Sequence, residues 1–141
     1  ARELVSNKEN GKIKLYLIYK ALNYRKNNRT TFEKGEYSPL EVKGDKANNI
    51  CSFSRKLGNS MALVVAPRFF TRLIQQPESL PLGKDVWQDS FVVLPIEEAG
   101  MKYRNIFTGE IITPVRHNET TALYLAEIFT NFPVALLERI I

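Results

Sequence analysis

The chain is 141 residues long, 44% apolar, with 20 basic and 15 acidic side chains and a net charge of +5, the balance of an ordinary globular protein and not of a disordered or fibrous one. Cys51 is the only cysteine, so an intrachain disulfide and a cysteine-built metal site are both excluded, which fits a reducing cytoplasm. At this length one domain is expected, able to bury about two-thirds of the surface its unfolded chain exposes.

No run approaches the roughly twenty apolar residues that span a bilayer, and no signal-peptide pattern opens the chain. It begins at Ala1 and not at methionine, as a piece of something longer would. The basic residues are dispersed, and the densest cluster is Arg25, Lys26 and Arg29. A nucleic-acid stripe needs cations on one face with aromatics between them, so neither nucleic acid nor membrane is an expected partner.

In chain order, the spacing first predicts a helix over residues 12–26. Ile13, Leu17, Ala21 and Tyr24 form one apolar stripe, and Leu15, Ile18 and Leu22 form a second beside it. Asn10-Gly11 starts the helix and the Asn27-Asn28-Arg29-Thr30 run ends it. The two stripes make an arc wide enough to face a sheet or barrel.

From Tyr37 the period becomes that of strands. Leu40 and Val42 alternate with Glu41 and Lys43, and Cys51 and Phe53 with Ser52 and Ser54. That alternation predicts Cys51 on the buried face, as a small apolar residue. Met61 to Ala66 and Phe91 to Leu94 are apolar on both faces, as central strands are, and each is stopped by a proline, Pro67 or Pro95.

Phe69 to Asp89 is long for a connection in a compact domain. It reads as an excursion anchored by Trp87, whose ring has more than about 150 Å² to bury. Thr108-Gly109 predicts a tight hairpin within Tyr103 to Ile112. Thr121 to Leu125 gives a further strand, Leu125, Ile128 and Phe129 one helical turn, and Pro133 to Arg139 a last strand. Seven or eight short strands imply a mainly β, antiparallel Greek-key-type sandwich preceded by one amphipathic helix.

Catalytic groups are scarce. His117 is the only histidine and lies in the polar run Arg116-His117-Asn118-Glu119, where an exposed loop histidine is the expected reading. A Cys51–His117 nucleophile pair is the competing one. Glycosidase chemistry needs two carboxyl groups facing one cleft about 5 to 9 Å apart, one with a raised pKa. Asp45, Asp85 and Asp89 fall in expected loops, and no glutamate is set in an apolar strand end. No phosphate loop or serine elbow appears. The expectation is therefore no catalytic residue, no metal and no cofactor. Trp87 and Tyr103, with other aromatics, are the candidates for a sugar-stacking platform.

The landmarks from Lys12 to Ile141 resemble the C-terminal part of maltooligosyltrehalose synthases, members of the α-amylase superfamily. They are Gly11-Lys12-Ile13-Lys14-Leu15, Phe32-x-x-Gly35-x-Tyr37-x-Pro39-Leu40, Cys51-Ser52-Phe53-Ser54-Arg55 and Val64-Val65-Ala66-Pro67-Arg68. Pro81-Leu82-Gly83-x-x-Val86-Trp87-x-Asp89, Asn105-Ile106-Phe107-Thr108-Gly109-Glu110 and Phe132-Pro133-Val134-Ala135-Leu136-Leu137 follow. Tyr103 stands where tryptophan is expected, and Asn105 where aspartate is common.

The resemblance implies an enzyme that isomerises the reducing-end α-1,4 linkage of a maltooligosaccharide to α,α-1,1, with its carboxylates in a barrel that has no counterpart here. Residues 1–30 would then be the barrel's last helix and a linker, and residues 31–141 a C-terminal β-sandwich. The role implied for this piece is structural. Its partner would be the catalytic barrel of the same longer chain, and maltooligosaccharide would be met through that barrel. Alone, the helix should fold back on the sandwich or pair with a second copy through residues 12–26. The competing readings are an α-glucan-binding module and the C-terminal domain of another amylase-type hydrolase or branching enzyme.

Overall fold

The computed structural model describes residues 12–68 and 81–140, with side chains from Leu15 onward. Helix α1 (Lys12–Asn27) leads into a short α2 (Arg29–Lys34), β1 (Glu36–Pro39) and β2 (Val42–Lys43). The long hairpin of β3 (Ile50–Leu57) and β4 (Ser60–Pro67) follows. After it come α3 (Lys84–Trp87), β5 (Phe91–Leu94), β6 (Lys102–Asn105), β7 (Ile111–Ile112), β8 (Val115–His117), β9 (Thr120–Tyr124), α4 (Leu125–Ile128) and β10 (Ala135–Ile140).

The described strands form two antiparallel sheets, ordered β1-β3-β4-β10-β6-β7 and β2-β5-β9-β8. Strand β10 lies between β4 and β6, with Leu137 opposite Leu63 on one side and Asn105 on the other. Met61, Leu63, Val65 and Leu137 of the larger sheet pack with Val92, Leu94 and Leu123 of the smaller one in one buried cluster. Fully burying such side chains is worth about 1.5–3 kcal/mol each. As expected, Met61 to Ala66 and Phe91 to Leu94 are interior strands, with neighbours on both edges.

Part of the larger sheet is covered on its other side as well. Successive residues of a strand face opposite ways, so Ala62, Val64 and Leu136 turn away from the sandwich. There α1 covers them, its Tyr16, Leu17, Ala21 and Tyr24 packing with Phe107, Phe132 and Leu136. The Tyr16 hydroxyl donates to the Phe107 carbonyl at 2.6 Å, and its ring meets Phe132 edge-on at 6.0 Å. The helix therefore folds back on the sandwich with one of its two stripes. The other stripe is bare: Leu15 is 69%, Ile18 42% and Leu22 59% exposed, and Tyr19 beside them 66%.

Local details depart from the sequence reading. Ser52 and Ser54 face the sandwich, while Cys51 is exposed. The reason is register: Ser52 pairs with Val65 and Ser54 with Leu63, both inward residues of β4, and directly opposed residues share a face. Phe53 finds cover outside, its ring 5.2 Å from that of Tyr37. The run from Tyr37 to Lys43 is not one strand; it leaves the larger sheet at Pro39 and joins the smaller one at Val42.

The hairpin is looser than expected, because β6 ends at Asn105 and Ile106 to Glu110 form the connection. Gly109 does take positive φ there, at 78°, and its N–H donates to the Asn105 carbonyl at 2.7 Å. A second helical segment, α2, occupies residues given no element in the sequence reading. The single turn over Leu125 to Ile128 is present as α4. The excursion from Phe69 lies outside the described residues up to Leu80.

Candidate functional site

The two rings proposed as a sugar platform are sealed inside. Trp87 is 0% exposed, its Nε1–H donating to the Pro81 carbonyl at 2.8 Å and its ring 5.0 Å from Phe129. It anchors its segment as expected, but neither face of the indole is open to a pyranose. Tyr103 is also 0% exposed, because its place on β6 puts it on the inner face beside Ile112. The cause is the same for both: each ring is part of the core.

Tyr103 belongs instead to a buried polar group. Its hydroxyl donates to the Glu98 carboxylate, and Arg139 Nη1 reaches the same carboxylate at 2.9 Å (Oε2) and 3.1 Å (Oε1). Arg139 Nη2 also donates to the Asn59 carbonyl at 2.9 Å. Burial pushes the Tyr103 phenol well above its ordinary pKa; the bond to Glu98 and that residue's charge add to the rise, and Arg139 opposes it.

Glu98 is the one buried carboxylate among the described residues, and the sequence reading missed it. The available signal was Arg139, which shares parity with Leu137 and Ala135 on β10 and therefore points inward. A buried arginine calls for a buried acid. An arginine-paired carboxylate lacking a second carboxylate across a cleft is a structural ion pair, not the acid of an acid–base pair.

The remaining candidates do not converge. His117 is on strand β8 and not in a loop, half-buried with its ring 4.7 Å from Phe91. Strand β8 belongs to the smaller sheet and β3, which carries Cys51, to the larger one, so no shared strand brings the two together. Asp45 and Asp89 line an open hollow of about 250 Å³ with Gln88 and Ser90, and Asp85 is exposed on α3. Among the described residues no cluster of His, Cys, Asp or Glu has the makings of a metal site. A second open cleft, of about 400 Å³, runs where α1 meets the β6–β7 connection and is lined by Tyr16, Lys20, Arg104 and Glu138 among others.

What the surface does offer is the bare stripe of α1. Four large apolar side chains in one row on a helix seated on a sandwich form a contiguous apolar patch of the kind that marks a contact surface. The fold thus defines a β-sandwich domain with its chemistry enclosed and one apolar helical face turned outward.

Solved structures of maltooligosyltrehalose synthase from Arthrobacter ramosus are similar to this chain. One superimposes with a TM-score of 0.65 at 23% identity, covering 91% of this chain and 14% of that one. A single-site mutant of the same enzyme gives 0.61 at 24% identity, covering 85% and 13%. Neither a protein-family profile nor a curated protein sequence matches the chain. The resemblance drawn from the sequence landmarks thus holds in the fold, and the chain spans about one-seventh of the protein it matches.

Proposed function

We propose that this chain is the C-terminal β-domain of a maltooligosyltrehalose synthase, with residues 1–30 as a lead-in helix and linker and residues 31–141 as the sandwich. Its role is structural: it seats the catalytic part of a longer cytoplasmic protein against the outer stripe of α1. The parent activity is the conversion of the reducing-end α-1,4 linkage of a maltooligosaccharide into an α,α-1,1 linkage. The observation that carries this reading is the likeness to one stretch of a far longer synthase, in a chain whose helix keeps a bare apolar face. The enclosed Trp87 and Tyr103 weigh against a glucan-binding module.

The chemistry gives a clean test, because an α,α-1,1 linkage consumes the reducing end. The complete reading frame that contains this sequence, expressed and given a maltooligosaccharide, should lower the reducing-end titre without releasing glucose. A rise in reducing ends would identify a hydrolase. An unchanged titre with new branch points would identify a branching enzyme.

A further inference from the structure

The bare face of α1 also carries information about the charge of whatever covers it. Leu15, Ile18 and Leu22 recur at three and four residues, the spacing of a seam that receives one helix. The sixteen residues of α1 include Lys12, Lys14, Lys20, Arg25 and Lys26 and not one acid. Arg25 and Lys26 are exposed in the last turn, and the ion pairs formed by described residues, Arg29–Glu33 and Arg139–Glu98, do not involve them.

The last-turn cations Arg25 and Lys26 suit the dipole of their own helix. A second copy of this chain would bring cations against cations.

Resting on the reading that this face docks against the rest of a longer chain, we propose that its partner is an apolar helix flanked by aspartates and glutamates. Self-pairing through residues 12–26 is correspondingly disfavoured by like charge.

The test uses this chain and two synthetic helical peptides with the same leucine–isoleucine seam, one flanked by glutamates and one by lysines. Fluorescence anisotropy at low salt should show the glutamate peptide binding at least about tenfold tighter, with the gap closing in about 0.5 M salt. Arg25→Glu with Lys26→Glu should invert the preference. Leu15→Ser with Leu22→Ser should abolish binding of both peptides while circular dichroism stays that of the parent.

Equal binding of both peptides overturns the acidic partner and leaves the docking face standing. Binding that survives the double serine variant overturns the docking face itself. A concentration-dependent dimer in sedimentation, or adsorption to phosphatidylglycerol vesicles without peptide binding, also overturns the proposal, in favour of a second copy or a lipid surface.

Discussion

Glu98 and Arg139 form an ion pair inside the sandwich, 2.9 Å apart, with side chains only 3% and 8% exposed. The pair ties the turn after β5 to the central strand β10. Removing one partner leaves an uncompensated buried charge, so Glu98→Gln should cost about 3–5 kcal/mol. Glu98→Leu combined with Arg139→Met should recover most of that loss, because packed apolar groups replace both charges. Urea titrations of the parent and the two variants measure it; a loss below about 1 kcal/mol for Glu98→Gln would mean that the pair is solvated.

Stability should fall at alkaline pH. Tyr24 and Tyr103 both have raised pKa values, from burial first, then from Glu138 beside Tyr24 and Glu98 beside Tyr103. In the unfolded chain these phenols ionise near about pH 10. Their contribution is therefore complete below that pH and is lost as pH climbs toward the folded values. Urea midpoints taken between about pH 8 and 11 should drop for the parent and stay flatter for Tyr24→Phe with Tyr103→Phe.

Trp87 should behave as a core residue in every assay. Its truncation to alanine removes the contact with Phe129 and strands the Pro81 carbonyl, at a cost of about 3–5 kcal/mol. Trp87→Phe should cost less, about 1–2 kcal/mol, chiefly for the lost hydrogen bond. Thermal unfolding followed by circular dichroism is the direct measurement. Wild-type stability in Trp87→Ala would be incompatible with an enclosed indole.

The parity of β3 makes a prediction of opposite sign. Ser52 Oγ is buried between the sheets and has no hydrogen-bond partner. Ser52→Ala should be neutral or stabilising by up to about 1 kcal/mol, since it removes an unsatisfied polar group. Cys51→Ser, one residue away on the outer side, should fall within about 0.5 kcal/mol of the parent. If Cys51→Ser proved the costly change, β3 would have to be inverted.

The sequence made the large features legible because their signals are periodic. The helix over 12–26, the two apolar interior strands with their terminating prolines, and the turn at Leu125 all announce themselves by spacing. Facing was harder. Strand β3 alternates Cys51 and Phe53 with Ser52 and Ser54, yet its orientation is set by β4 across the ladder and runs against that contrast. Trp87 was legible as an anchor, but the sequence does not say whether an aromatic in an irregular segment points in or out. The buried Glu98 sits in a 3-10 turn just after a strand-ending proline, where no period marks the inward direction. Its partner Arg139 was the better clue, since an arginine in an apolar strand has a parity.

The position of β10 sets the order in which the molecule can be built. It is the latest strand in chain order, yet it occupies the middle of the larger sheet. Before it arrives, β4 and β6 each present an unpaired backbone edge, the kind of template on which chains aggregate. Pairing Leu137 with Leu63 also closes a long loop, a contact of high sequence separation that forms slowly. A ribosome therefore cannot release this sandwich piecemeal. A premature stop before Ala135 would yield a sticky half-sheet, not a slightly weaker domain.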